Sequence, residues 1–473
     1  MNKGHVAVID IGKTNAKLAL VDVSDLSEIA VITRPNRVVS GPPWPHFDTE
    51  GHWAFLLDGL RDFHAQHGVH AISITTHGAC AALLARDGTL AAPILDYEHF
   101  GPDALAADYD AIRPPFSETG SPRLRMGLNI GAQLFWQFKT CPELTTRTHQ
   151  IVTYPQYWGH RLTGVAATDV TSLGCHTDLW NPHRRCFSSL VDTLNIRDKI
   201  APARKSSDIL GIILPEVAAQ TGLPADTPVF CGIHDSNASL LPHILGNKQP
   251  FSVVSTGTWV IAMTVGGRSV TLDPEQDVLI NVNALGDPVP SARFMGGREH
   301  DLATQGRYPV PDEATLDAIL RDQRMLLPAL VPETGPFRGH IARWVGPEPD
   351  VGTALRGTAV ALYLALVIAR CLQNTGHQGA VIVEGPFAAN PLILRMLAVA
   401  TDSTVIASKG ATGTSQGAAL VTCRDTPTMA DAISISPSED PRLLSMRAYA
   451  DAWADCVDRF ILDPIHQKPG LNT

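Results

Sequence analysis

The sequence predicts an α/β protein built from two related halves. Three observations lead there. The chain has 473 residues, more than one ordinary hydrophobic core accommodates, so two domains are expected. Both halves open alike, with a β-branched strand, a Gly/Thr turn and a second strand, at Val6–Val23 and again at Phe251–Ile261. Each opening is followed by strands alternating with helix-period segments.

Val6–Ile11, Lys17–Val23 and Glu28–Pro35 are short, β-branched and separated by turn residues, which predicts a meander of hairpins. A helix-period run follows from Trp53 to about His64. Ala71–Thr76 reads as a strand ending in the polar Thr76-His77-Gly78. The apolar run Cys80–Ala85 is closed by Arg86-Asp87-Gly88, a hairpin signal. Ala92–Leu95 reads as a strand leading into Asp96-Tyr97-Glu98-His99. From Ile151 a strand end runs into a helix stopped at Leu162-Thr163-Gly164. Val229–Ile233 reads as a buried strand delivering His234-Asp235 to the small-residue helix start Ser236-Asn237-Ala238-Ser239. The boundary between halves falls near Gly246–Pro250, so the expected domains are 1–247 and 248–473. The second half then shows a long apolar helix (about Val351–Asn374), a strand (Ala380–Glu384), a Gly/Pro/Asn turn, a helix (about Leu392–Ala400), a strand (Val405–Ala407) and a Gly-rich loop into a helix (Gly410–Val421). The duplication predicts a cleft between the halves. The tail after Pro464 is polar and expected to be loose.

Composition narrows the function classes. With 44% hydrophobic and 18% charged residues the chain reads as folded and core-rich. A net charge of −10 without a basic block argues against nucleic acid or anionic membrane as a partner. The eight cysteines include no C-x-x-C pair, which predicts reduced, buried thiols of the cytosol and neither a disulfide framework nor a zinc site. No basic-then-apolar segment precedes Val6, so a cytoplasmic chain is expected. The apolar stretch between Arg356 and Arg370 is shorter than the ~20 residues that span a bilayer, so it is expected to be a core helix.

Four constellations carry chemistry. In Asp10-Ile11-Gly12-Lys13-Thr14-Asn15 an acidic strand end meets a Gly turn and short polar side chains. Phosphate recognition needs exposed N–H groups, short donors and a carboxylate to hold Mg²⁺ through water. It is not a Walker A loop, because position 7 is Ala and a strand follows; an ordinary hairpin turn explains the same residues. Asp235 closes a buried strand beside a small-residue helix start, a place for a carboxylate that accepts a hydroxyl proton. The same position suits a helix cap, and spacing does not decide. Ser255-Thr256-Gly257-Thr258-Trp259 groups hydroxyls around a Gly between strands, either a phosphate contact or a solvated turn. Gly410-Ala411-Thr412-Gly413 opens a helix where a nucleotide could approach closely. Within that segment Gly413-Thr414-Ser415-Gln416-Gly417 also matches the hydrolase G-x-S-x-G pattern, with Asp440 and His466 downstream. His77 and Asp96 suit sugar hydroxyls or a solvated loop equally, and Arg298-Glu299-His300-Asp301 reads as a solvated helix face.

In this order the motifs resemble the FGGY family of carbohydrate kinases, within the actin/Hsp70/hexokinase-like superfamily. Asp10–Asn15 matches the first phosphate loop and Thr76-His77-Gly78 the substrate strand end. Leu162-Thr163-Gly164 with Thr168-Asp169, and Gly222-Leu223-Pro224 with Gly232, Asp235 and Ala238, match the segments leading to the catalytic Asp. Ser255–Trp259 matches the second phosphate loop; Glu384-Gly385, Asn390-Pro391, Leu397-Ala398 and Gly417-Ala418-Ala419 match the nucleotide end. The resemblance implies two actin-like (ribonuclease H-like) domains closing on a sugar, the N-terminal carrying sugar site and catalytic Asp, the C-terminal the nucleotide. It implies Asp235 as general base and Asp10, with Asp235, at Mg²⁺. It implies Gly12, Lys13, Thr14 and Asn15 opposite Thr256, Gly257 and Thr258 around the phosphates of ATP, and Gly385 and Asn390 near adenosine. Thr76, His77, Asp96 and His234 join Asp235 as the implied sugar-side residues. Two departures stand out: the usual Gly-Gly adenine turn is Glu384-Gly385-Pro386-Phe387, and Thr414-Ser415-Gln416 replaces the usual acidic residue of the last loop.

Thr75-Thr76-His77-Gly78 and His234-Asp235 look most like kinases of 6-deoxyketoses such as L-fuculose and L-rhamnulose; xylulose, ribulose and fructose stay open. The expected acceptor is a primary hydroxyl, the expected partners are a small sugar and ATP, and a homodimer is admissible. Two rival readings remain: a nucleotide-dependent switch with slow ATPase activity, and a serine hydrolase acting through Ser415.

Overall fold

The computed structural model describes residues 4–408, 413–423 and 433–461, with the side chains of 460 and 461 left aside. Its contacts divide the chain into two compact units. The first comprises the described residues within Met1–Gly246, Ile280–Val289 and Thr412–Met429; the second those within Asn247–Leu279, Pro290–Ala411 and Ala430–Thr473.

The first unit is organised by a seven-stranded mixed sheet. Its order is Ile209–Ile212, Pro228–Phe230, Ala71–Thr76, His5–Ile11, Asn15–Asp22, Glu28–Pro35, with Ile233–His234 also pairing with Ala71–Thr76. The predicted meander is present: His5–Ile11, Asn15–Asp22 and Glu28–Pro35 pair antiparallel in succession. His5–Ile11 and Ala71–Thr76 run parallel, which requires a crossover, and the helix Thr49–His67 supplies it. That helix starts four residues before Trp53, because the Asp48 carboxylate accepts from Gly51 N (3.0 Å). Its Leu56, Leu60 and Phe63 are buried in the main core with Tyr154, Tyr157 and Trp158. The helix Tyr154–Thr163 ends as expected at Gly164, which is left-handed (φ 74°).

Several expectations are corrected. The strand foreseen over 229–233 is two pieces, Pro228–Phe230 and Ile233–His234. Gly232 interrupts it with φ 92°, and a Cβ there would stand 2.7 Å from Ile74 O. Residues 92–95 form no strand; only an isolated bridge joins Leu95 to His46. The hairpin expected at Arg86-Asp87-Gly88 is present, its arms joined by an antiparallel bridge from Leu84 to Leu90, and Ala81–Leu84 also takes a ladder from Gln150–Thr153, 66 or more residues on. Cys80, Cys175, Cys231 and Cys371 are buried free thiols, whereas Cys186 is exposed.

In the second unit Val260–Val265, Phe251–Thr256, Ala380–Glu384, Val405–Ala407 and Ile433–Ile435 follow one another across a second sheet. The strand-turn-strand opening of the first unit recurs: Phe251–Thr256 pairs antiparallel with Val260–Val265 and parallel with Ala380–Glu384. The core helix runs over Ala354–Asn374, longer than the stretch between its arginines because Thr353 caps it and accepts from Arg356 N. Its 21 residues are long and apolar enough to cross a membrane, yet 83% of its most apolar window is buried in the protein. Glu299 corrects the reading of 298–301 as a solvated face: it is 2% exposed and accepts from Tyr363 Oη at 2.6 Å.

Candidate active site

Register brings the first-unit residues together. Asp10 and Ile11 stand opposite Thr75 and Thr76 on the parallel neighbour, and Ile233 and His234 stand opposite the same two residues on the other side. Three parallel strands therefore end level, and Asp10, His77 and Asp235 leave the sheet at one edge. Side chains at the carboxyl ends of parallel strands face the ligand side of an α/β sheet.

Asp10 is 8% exposed and accepts from Thr414 Oγ1 (2.6 Å), with Lys17 Nζ at 3.6 Å. Burial raises its pKa above the usual carboxylate range, against the Thr414 and Lys17 contacts; the nearby Asp235 charge raises it further. The turn after it is pinned from behind. Gly12 N donates to Asn15 O (2.9 Å), and Asn36 donates through Nδ2 to Gly12 O and through N to Thr14 O, both at 2.8 Å. Thr14 and Asn15 point to solvent. Lys13 turns to the other predicted loop: it ion-pairs with Asp96 and with Glu98 (3.1 Å), its ammonium 4.6 Å from the Tyr97 ring centre.

His77 is 6% exposed, with Phe47, Tyr97 and Tyr154 rings 5.0–5.2 Å away. Burial lowers its pKa to about 4, so the ring is neutral near pH 7. Its Nδ1 lies 2.8 Å from Gly78 O, which can only accept, so Nδ1 carries the proton. Nε2 is buried without a hydrogen-bond partner, an unsatisfied acceptor. Thr76 is buried and donates to His77 O (2.9 Å).

His234 and Asp235 sit where Ile233–His234 passes into the helix Asp235–Gly246. Asp235 accepts from Ser236 N (2.6 Å) on Oδ1, and His234 Nε2 is 3.1 Å from the same oxygen. The buried His234 ring also touches Cys175 Sγ (3.5 Å). Burial alone would depress the His234 pKa, yet Cys175 and Asp235 push it up to about 10. Burial opposes ionisation of Cys175, and His176 and His234 nonetheless draw it down to about 5. Behind them His234 N donates to Thr171 Oγ1 (2.9 Å), which bonds the fully buried Asp169 (2.6 Å). That is the physical content of the Thr168-Asp169 motif: its carboxylate also takes Thr171 N and Ser172 N.

In the second unit Thr256 is buried, donating to Glu384 O and accepting from Phe387 N (3.1 Å). Gly385 has φ 80°, and a Cβ there would lie 2.1 Å from Thr256 O, so only glycine fits. Asn390 caps the helix Pro391–Thr401, its Oδ1 accepting from Leu392 N (3.1 Å) and Ile393 N (3.3 Å). A cavity of about 410 Å³ opens beside it, lined among others by His300, Tyr308, Ala389, Asn390, Ile393 and Arg395. Gly257 is half-buried and Thr258 exposed.

Residues 5–242 match the N-terminal domain of the FGGY family of carbohydrate kinases, and residues 248–431 match the carbohydrate kinase FGGY C-terminal domain. The chain belongs to the FGGY family of carbohydrate kinases. It is 35% identical to a carbohydrate kinase from Novosphingobium aromaticivorans of known structure, over 97% of this chain and 99% of that one, with a TM-score of 0.89. A ligand-bound xylulose kinase from Lactobacillus acidophilus shares the fold at 16% identity, TM-score 0.76, over 97% and 98% of the two chains. L-fuculokinase of Escherichia coli K12 is 26% identical over 288 residues, 58% of each chain. The match thus spans little more than half the length of that curated relative.

Within this FGGY chain the sequence reading missed Asn36, Thr171 and Cys175, whose roles depend on partners far away in sequence, and treated Thr414 only as a departure. Gly410–Thr412 and His466 lie outside the described residues. Ser415 cannot serve as a hydrolase nucleophile: it is fully buried inside the helix Thr414–Leu420. Its supposed partner Asp440 is ion-paired with Arg395 (2.6 Å). Among the described residues no group of three or more His, Cys, Asp or Glu side chains could hold a metal ion. Asp10 and Asp235 are near enough for the Asp235 charge to raise the Asp10 pKa.

Proposed function

We propose that this chain transfers the γ-phosphoryl group of ATP to a primary hydroxyl of a ketose. The observation that carries the reading is the level ending of three parallel strands, which groups Asp10, His77, His234 and Asp235 at one edge of the first sheet. In this reading Asp235 takes the hydroxyl proton. The described contacts of its carboxylate fall on Oδ1, which leaves Oδ2 to receive it. His77 accepts from a neighbouring sugar hydroxyl through Nε2, and Thr76, Asp96 and His234 complete the sugar side. Gly12, Lys13, Thr14 and Asn15, with Thr256, Gly257 and Thr258, attend the phosphates. Gly385 and Asn390 flank adenosine, a role supported by the cavity beside Asn390. Mg²⁺ held by Asp10 and Asp235 would offset phosphate charge. A 6-deoxyketose such as L-fuculose or L-rhamnulose is the favoured acceptor, supported by the L-fuculokinase likeness; pentuloses and fructose follow.

A coupled ADP-release assay with Mg-ATP across ketoses, alditols and aldoses tests the reading. The expected result is sugar-dependent ADP release, strongest with a 6-deoxyketose. ADP release that no sugar increases would overturn it in favour of a slow nucleotide switch.

A further inference from the structure

We propose that Cys175 and His234 form a buried strut that fixes the Asp235 carboxylate, and that Gly78 is glycine to make room for it. The inference rests on the reading of Asp235 as the base. The His234 ring is held at Nε2, which lies 3.5 Å from Cys175 Sγ and 3.1 Å from Asp235 Oδ1, and its Nδ1 faces Asn237 Nδ2 at 3.3 Å. Its backbone N is fixed to Thr171 Oγ1 at 2.9 Å. His234, Cys175 and Asn237 are 5%, 4% and 2% exposed, so the ring works inward. Asp235 itself retains 30% side-chain exposure, so the strut holds it from the protein side and leaves a face open.

Gly78 supplies an independent observation. A Cβ on residue 78 would stand 2.9 Å from His234 Nε2 and 3.3 Å from Cys175 Sγ. Its φ is not in the left-handed region, so backbone freedom does not explain the glycine. What it provides is room at the contact between ring and sulfur. Cys175 follows the turn Val170–Leu173, whose start is capped by the buried Asp169. The sulfur therefore has a fixed base, and the helix beginning at Asp235 holds the other end. His234 and Cys175 are positioning residues: they act on the proton acceptor through the 3.1 Å contact to Oδ1, and His234 serves the sugar side by holding Asp235 rather than by binding a hydroxyl.

The test compares Cys175→Ala, Cys175→Ser, Gly78→Ala and Asp235→Asn with the wild-type enzyme, using Mg-ATP and the ketose that gives the highest turnover. A misplacement near 1 Å at a reacting group costs about 10²-fold. Cys175→Ala is therefore expected to lower kcat by about 10- to 10²-fold with KM for sugar and ATP unchanged. Cys175→Ser, which keeps a polar contact to Nε2, should recover most of the rate. Gly78→Ala should lower kcat similarly, and its combination with Cys175→Ala should cost no more than the larger single loss, since both act through one ring. Normal kcat in Cys175→Ala, or a raised sugar KM at unchanged kcat, would overturn the strut and make His234 a hydroxyl-binding group. If Cys175→Ala does not fold, Cys175→Ser and Gly78→Ala carry the test: wild-type kcat in Gly78→Ala overturns the proposal. Turnover at the wild-type rate in Asp235→Asn would instead sink the base reading itself, and the strut with it.

Discussion

The Thr414 hydroxyl donates to the Asp10 carboxylate at 2.6 Å, and 404 residues of sequence separate the two. The contact binds the helix Thr414–Leu420 to the end of the first strand, inside one compact unit. A hydrogen bond to a charged group contributes about 1.5–3 kcal/mol. Thr414→Val keeps the shape and leaves Asp10 with Lys17 at 3.6 Å as its remaining described side-chain contact. The expected outcome is a loss of about 1.5–3 kcal/mol in urea unfolding, with Thr414→Ser close to wild type. Equal midpoints for Val and Thr would show that solvent satisfies Asp10 as well as the hydroxyl does.

Gly417 sits where that helix meets the one beginning at Asp235. A Cβ on it would fall 1.8 Å from Ala238 O and 2.5 Å from Ala238 C, atoms of the neighbouring backbone. Relief requires one helix to move, and overpacking of this kind costs about 1–3 kcal/mol. Gly417→Ala should lower the calorimetric Tm accordingly and reduce kcat as well, because Ala238 lies one helical turn from Asp235. Gly413→Ala is the control, since a Cβ there meets nothing within 4 Å. A similar Tm in the two variants would mean that the helices have slack to separate.

Local signals made the strand ends readable. Asp10, Thr76-His77 and His234-Asp235 each follow a β-branched run, and polar residues closing such a run mark the lip of a sheet. Their grouping was not readable from pattern alone. The register Asp10↔Thr75 and His234↔Thr76 joins segments about 65 and 158 residues apart, which only the resemblance to an ordered family ties together. Thr171, Cys175 and Asn36 carry no local mark: each is an ordinary polar residue whose partner is chosen by tertiary packing. The break at Gly232 was hidden for the same reason, because the residue that demands it, Ile74, belongs to the neighbouring strand.

If Asp235 is the base proposed above, Asp235→Asn removes the oxygen that takes the proton while keeping the side chain's size and a carbonyl that can accept from Ser236 N. A positioned general base contributes about 10²–10⁴-fold, so kcat should fall by that factor. ATP affinity, read by equilibrium dialysis or calorimetry without sugar, should change by less than about 3-fold, since one charge of a partly solvated site is lost. Near-normal turnover would remove Asp235 from its role.

His52 couples the Gly12–Asn15 turn to pH. It is fully buried, its Nδ1 faces Arg34 Nη1 (3.0 Å), and its Nε2 meets Asn36 Oδ1 (2.8 Å), the residue that holds Gly12. Arg34 can only donate, so Nδ1 accepts and the ring is neutral with its proton on Nε2. Burial, then the Arg34 charge, lowers the pKa from 6.5 to about 4, with Asp48 opposing. Above pH 6.5 folded and unfolded chains both carry the neutral ring, and this contribution to stability is complete. Between pH 6.5 and about 4 the unfolded chain binds the proton and the folded chain does not, so stability falls with pH, by up to about 1.4 kcal/mol per unit for one group. His77 and His377, also lowered to about 4, add slopes of the same sign. His52→Gln keeps an amide that can reach Asn36 and cannot take up the proton. Urea unfolding from pH 4.5 to 7.5 should therefore show a shallower decline for His52→Gln than for wild type, with the curves converging toward the acid end. Parallel curves would place the His52 proton on both states alike and remove the turn from pH control.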